Sequence, residues 1–284
     1  MIKTWKISKT KLDEVHFEDE SSLDAITRQL PDGYYSTFRT FDECTRVIGL
    51  SSHLRRLPNV DASRIRQSLL LLLEPYHPAE ARVRVMETKP GQFYISIEPL
   101  KLLAREVYDS GVRVETTTIH RNDPRTKSTA FIGASDAERK HLVQEGIFEA
   151  LLVKNGKILE GMTSNFFYIL HPERNEERLL RRAQTKGASS AEPTSISPSA
   201  QHEVLFTTQR DILLGITRTM VIRAARGRGV KIRYRPLKLD QLPAVREAFI
   251  TSSSRGIVPV IQIDEVRVGQ GESRKCHEDV DVCV

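Results

Sequence analysis

The chain has 284 residues, a formal net charge of +6, 39% hydrophobic and 28% charged residues. This is enough to bury one large or two medium cores with the composition of an ordinary soluble globular protein. No run of about 18 apolar residues marks a membrane helix. Residues 1–6 lead into charged residues rather than an apolar signal core, and Cys44, Cys276 and Cys283 are too few and scattered for a disulfide framework, so a cytoplasmic protein is expected. The basic residues are interleaved with acids and carry no aromatic-basic stacking motif, so no nucleic-acid partner is expected.

In chain order, residues 34–40 alternate as a strand that ends in the Asp42-Glu43 turn. Residues 50–57 read as a helix after a serine cap, and 62–73 as a second helix with a leucine-rich face. Residues 82–87 and 92–98 read as a hairpin around Pro90-Gly91. A domain boundary is placed near 102–106, giving a small N-terminal α/β domain over 1–104 and a larger domain over 105–284. The larger part opens with a strand at 111–119 and a charged helix at 136–145. Asn155-Gly156 between the apolar runs 150–153 and 157–159 predicts a hairpin with a type I′ turn. A buried strand at 165–170, a helix at 216–225 and strands at 248–251 and 258–263 complete it. Residues 184–201, rich in Ser, Ala, Thr and Pro, are expected to form a disordered loop insertion, and 269–284 a flexible tail. The spacing of Cys276, His277 and Cys283 is not a usual zinc pattern, so no metal is expected.

Four segments carry chemistry. Lys127-Ser128-Thr129 follows Arg121-Asn122-Asp123-Pro124-Arg125-Thr126, a strand end and short proline link. Glu160-Gly161-Met162-Thr163-Ser164-Asn165 comes about thirty residues later. Leu214-Gly215-Ile216-Thr217-Arg218 opens a helix, and Thr251-Ser252-Ser253-Ser254 ends a strand. A lysine supplies the primary amine that forms an imine with an aldehyde. A carboxylate stabilises a protonated ring nitrogen. A helix N-terminus supplies N–H groups and a favourable dipole to a phosphate. These are the parts needed to hold pyridoxal 5′-phosphate. Taken singly, each also has an ordinary reading: a surface lysine, a solvated hairpin glutamate, a capped helix start.

In this order the segments resemble the class IV aminotransferases, a family that includes branched-chain and D-amino-acid aminotransferases and aminodeoxychorismate lyase. The resemblance runs from about residue 32 to 260. It implies a two-domain, fold type IV α/β architecture, with a small N-terminal domain and a larger, mixed, barrel-like one. It further implies that Lys127 holds the cofactor, Glu160 faces the ring nitrogen, and Ile216, Thr217 and Ser253 receive the phosphate. Arg56, in His53-Leu54-Arg55-Arg56-Leu57, aligns with an arginine that clamps the phosphate, and Tyr35 with a tyrosine on the substrate side. Family members mostly carry Glu where Ser36 stands. Arg255, in Ser253-Ser254-Arg255-Gly256, is a candidate for the substrate carboxylate, with a solvent-facing arginine as the ordinary alternative. The expected activity is transfer of an amino group between an amino acid and a 2-oxo acid, by a homodimer. The alternatives are the lyase, which shares these contacts, and a non-catalytic binding protein.

Overall fold

A computed structural model describes residues 1–8, 10–171 and 204–269. The expected insertion at 184–201, and the tail from 270 with Cys276, His277 and Cys283, lie outside the described residues. The chain builds two sheets, one from strands before residue 100 and one from strands after 111.

The first sheet has the order β2-β1-β5-β4-β3 and is antiparallel throughout. Its strands are β1 (Lys3–Ile7), β2 (Leu12–Val15), β3 (Gly33–Arg39), β4 (Ala81–Thr88) and β5 (Phe93–Pro99). Period-two alternation gives it two unlike faces. Phe38, Val83, Val85, Ile95 and Ile97 pack under α2 (Leu50–Leu54) and α3 (Ala62–Leu73). In α3, Asp61 caps the Ser63 and Arg64 N–H groups, and Ile65, Leu69, Leu72 and Leu73 form the buried stripe. On the opposite face, Tyr35, Thr37 and Arg39 of β3 stand directly across from Met86, Arg84 and Arg82 of β4. This polar face looks towards α1 (Leu23–Arg28), where Arg84 donates to the Leu23 carbonyl and the Thr27 hydroxyl.

Two local expectations need correction. The helix at 50–57 ends at Leu54, and its N-cap is Gly49 at φ 68° with no side-chain cap, not a serine. The first strands were not foreseen: β1 reads Lys-Thr-Trp-Lys-Ile and lacks clean alternation.

The second sheet has the order β11-β10-β9-β13-β14-β6-β7-β8-β12, with β15 beside β14. Its strands are β6 (Val112–Thr117), β7 (Glu149–Lys154), β8 (Lys157–Gly161), β9 (Asn165–Leu170), β10 (Val204–Thr207), β11 (Lys231–Tyr234), β12 (Leu237–Lys238), β13 (Val245–Ser252), β14 (Gly256–Ile263) and β15 (Val266–Arg267). β6 runs parallel to both β14 and β7, and β10 parallel to β11; the other pairs are antiparallel. The sheet is mixed and curls into a half-barrel around Val114, Leu151, Phe166, Tyr168, Val260 and Ile263. The β7–β8 turn is the foreseen one, with Asn155 and Gly156 both left-handed at φ 51° and 67°. The helices of this part are α4 (Arg105–Ser110), α5 (Ala130–Ala134), α6 (Asp136–Gln144) and α7 (Ile216–Gly227). Val221, Ile222 and Ala225 pack α7 on Phe167, Leu205 and Phe249 of the sheet.

Candidate active site

The link before α5 crosses to the first sheet. The Tyr35 N–H donates to the Lys127 carbonyl at 3.0 Å, and the Thr129 N–H to the Gly33 carbonyl at 3.0 Å. The Thr129 hydroxyl accepts from the Gly33 N–H at 3.0 Å. Lys127 is thereby fixed between the two sheets, with Nζ 4.8 Å from the Tyr35 ring centroid. Between the sheets lies a cavity of about 380 Å³. Lys127, Glu160, Arg56, Tyr35, Ile216, Thr217, Ser253 and Arg255 all line it, so the structure brings every residue singled out from the sequence to one space.

Burial, then the charges of Arg56, Arg121 and Arg84, holds the Lys127 amine well below the ordinary lysine range. A neutral amine can act as nucleophile and base.

Glu160 is 2% exposed, which rules out the solvated hairpin position that the nearby Asn155-Gly156 turn allows. Its Oε1 accepts from Arg121 Nε at 3.0 Å. Its Oε2 accepts from Asn165 Nδ2 at 3.2 Å and the Leu213 N–H at 3.1 Å. Burial pushes its carboxyl up to about 7, opposed by Arg121 and the Leu213 N–H. Gly215 matters here through its missing side chain: a Cβ there would lie 2.0 Å from Asn165 Oδ1.

Gly215, Ile216 and Thr217, where α7 starts, also line the cavity, and α7 has no side-chain cap, so no side chain claims its first N–H groups. Thr217 and Ser253 place their hydroxyls 3.5 Å apart. Arg56 donates to the Leu214 carbonyl at 2.8 Å, and no carboxylate among the described residues pairs with it. Its guanidinium is brought down to about 10 by burial. Its neighbour Arg55 is exposed and donates to Ser52, which fixes the choice between the two in favour of Arg56 as the cavity residue. Two further buried hydroxyls on the cavity wall, Ser164 Oγ and Thr251 Oγ1, find no partner among the described residues.

Arg255 is not a solvent-facing arginine. It donates to the Glu149 carboxylate at 2.8 Å and to the Thr163 hydroxyl, and its guanidinium carbon lies 5.1 Å from the Phe148 ring centroid.

Sequence reasoning gave no role to Arg121, Leu213, Ser164 or Thr251, and used Asn165 only as part of the segment that marks Glu160. Arg121 stands in the quoted link, but one arginine before a proline turn has no pattern of its own. Its partner Glu160 is 39 positions away.

Comparison with known proteins gives these features a family. The profile described as amino-transferase class IV matches residues 46–263. The chain belongs to the class IV aminotransferases. It is 27% identical over 181 residues to a branched-chain-amino-acid aminotransferase of Salmonella typhimurium, covering 60% of this chain and 47% of that protein. It therefore spans about half the length of the first curated relatives it matches. It is 22% identical over 267 residues to a D-alanine aminotransferase of Bacillus licheniformis, covering 86% and 83%. A putative branched-chain amino acid aminotransferase of Thermotoga maritima superposes with a TM-score of 0.71 at 21% identity, covering 99% of this chain and 94% of that one. A hypothetical aminotransferase of Mycobacterium tuberculosis in its pyridoxal-phosphate-bound form does so with 0.71 at 16%, covering 98% and 96%. At these identities the structural likeness establishes the architecture, which is fold type IV, a fold whose family members bind pyridoxal phosphate.

Proposed function

We propose that this chain is a pyridoxal-phosphate-dependent transaminase that moves an amino group between an amino acid and a 2-oxo acid. The observation that carries the reading is one cavity lined by the Lys127 amine, the buried Glu160 carboxylate, the uncapped N-terminus of α7 and Arg56. These residues fit the cofactor. Arg56 lacks a carboxylate partner among the described residues, the first N–H groups of α7 suit a phosphate, and Thr217 and Ser253 add hydroxyls. Lys127 would hold the cofactor covalently and Glu160 would face its ring nitrogen.

When bound, pyridoxal phosphate supplies an electron sink for the carbon that loses its proton. Lys127, freed when the substrate amine takes its place, would take a proton from the substrate α-carbon and return one to the neighbouring position, a role that suits an amine held below the ordinary lysine range. Glu160, fixed by three donors, would offer negative charge to a protonated ring nitrogen. Tyr35 walls the side of Lys127 that faces the first sheet. Arg255, preset by Glu149 and Thr163, is placed to meet a substrate carboxylate. A homodimer, as the resemblance implies, and a branched-chain or D-amino-acid donor, as the relatives' names suggest, belong to this reading.

Borohydride reduction followed by peptide mass analysis tests it, with the cofactor expected on Lys127 and turnover lost in Lys127→Ala. A label on Lys140 or Lys154 instead overturns it. A screen of single L- and D-amino acids, read by loss of the visible cofactor band, gives the donor. Product analysis with amino acids and with chorismate-derived substrates separates the transaminase from a lyase built on the same residues.

A further inference from the structure

We infer that Arg121 is a positioning residue that favours the ionised form of the Glu160 carboxylate, aims it into the cavity, and ties it to the link carrying Lys127. The proposal deepens the transaminase reading, because it rests on Glu160 facing the cofactor ring.

The geometry is specific. Arg121 has a side chain only 7% exposed, and Glu160 one only 3% exposed. Nε of Arg121 donates to Glu160 Oε1 at 3.0 Å, and an NH2 donates to the Met162 carbonyl at 2.7 Å. The guanidinium carbon lies 3.8 Å from the Phe131 ring centroid, a close cation–π contact. One planar group thus touches the Glu160 strand end, the turn after it, and α5 behind the lysine. A lysine in its place offers the charge without the fork.

The electrostatics point the same way. A carboxylate this deep has a strong tendency to take up a proton. The charged and titratable groups facing it are Arg121, Lys127, Arg56 and Arg218. Of these, Arg121 is the ion-pair partner in contact with it among the described residues. Lys127 also lowers the Glu160 value, but ranks behind Arg121 and the Leu213 N–H among the influences on it. Asn165 and the Leu213 N–H are neutral donors. Without Arg121, the neutral acid form of Glu160 is favoured further, and less negative charge remains to stabilise positive charge on the ring.

The test reads the carboxyl itself. The purified protein, labelled with 13C at the glutamate side-chain carboxyl, is titrated by NMR, and the Glu160 signal is assigned by its loss in Glu160→Gln. Arg121→Met, which keeps the stem and removes the charge, is expected to raise the Glu160 midpoint by at least about one unit, a tenfold change in proton affinity. Arg121→Lys, which keeps the charge, is expected to reverse most of that rise. An unmoved midpoint in a folded Arg121→Met protein overturns the proposal, leaving Arg121 a packing residue. Should Arg121→Met fail to fold, Arg121→Lys decides alone: a midpoint within about half a unit of wild type supports the assignment, and a larger displacement despite the retained charge overturns it. None of this depends on turnover, so failure of the transaminase reading remains distinguishable.

Discussion

Glu160, His53 and Arg255 each owe their behaviour to what they touch. For Glu160, replacement by glutamine keeps the shape and two neutral donors but removes the negative charge. In the proposed mechanism this costs about 3 kcal/mol of transition-state stabilisation, or about 100-fold in kcat; steady-state kinetics with kcat near wild type would rule the role out. Arg255 is already neutralised by the buried Glu149, so a substrate carboxylate shares it. Arg255→Ala is expected to raise KM for 2-oxoglutarate by about tenfold and leave carboxylate-free amines little changed; equal KM values for wild type and variant would sink that role. His53 is 1% exposed, with Nδ1 2.8 Å from the Ser36 hydroxyl. Burial, then the Arg56 and Lys127 charges, takes its imidazole from 6.5 down to about 3. A depressed folded-state value means the neutral form is bound in the native protein. Its contribution is intact above pH 6.5 and is lost as pH falls from there towards 3. Urea midpoints should therefore drop more steeply over that window in wild type than in His53→Gln; parallel slopes would show that His53 is not responsible.

At the scale of elements, α3 and the start of α7 make contrasting demands on sequence. In α3, burial decides cost. Leu69 is 4% exposed and Leu70 75%, so Leu69→Ala should destabilise by about 2–4 kcal/mol and Leu70→Ala by less than about 0.5 kcal/mol, measured by chemical denaturation. Similar losses for both would show that the leucine stripe is misassigned. At the start of α7 the demand is for absence. Gly215→Ala drives a methyl into Asn165 Oδ1, and Asn165 holds both Glu160 and the Leu213 carbonyl. Cofactor affinity, titrated by absorbance, is expected to fall by about tenfold; an unchanged affinity would show that the loop relaxes at no cost.

At the scale of the whole molecule, the two sheets are joined through the Lys127 link and through ion pairs between α1 and α6. Asp24 forms ion pairs with Arg84 of the first sheet at 2.7 Å and with Arg139 of α6 at 3.4 Å. Arg28 pairs with Asp136 at 3.2 Å, but both of these side chains are more than a third exposed. Asp24→Asn leaves Arg84, with a side chain 5% exposed, without its counter-ion, and should cost about 2–4 kcal/mol. Asp136→Asn should cost less than about 1 kcal/mol, as exposed pairs do. Equal effects in urea melts would mean that burial of Arg84 does not set the cost.

What the chain determined by itself is local. The leucine-faced helix at 62–73, the Asn155-Gly156 turn, the apolar run at 165–170 and the Gly-Ile-Thr helix start were legible because each rests on neighbours within a few residues. The order of the four chemical segments was enough to indicate the family and the cofactor it implies. Only the tertiary structure decided which of these residues meet. The bridge from Lys127 to Tyr35, the Arg121–Glu160 pair, the Glu149 counter-ion of Arg255 and the approach of Asn165 to Gly215 each join positions between 39 and 106 apart, or stand on a glycine whose need is felt only across the fold. Strands such as β1 and helices such as α1 escaped the sequence reading for the same reason. Their few apolar residues give no period of their own, and pairing with β5 and packing against the Arg84 face supply the stabilisation that local propensity lacks.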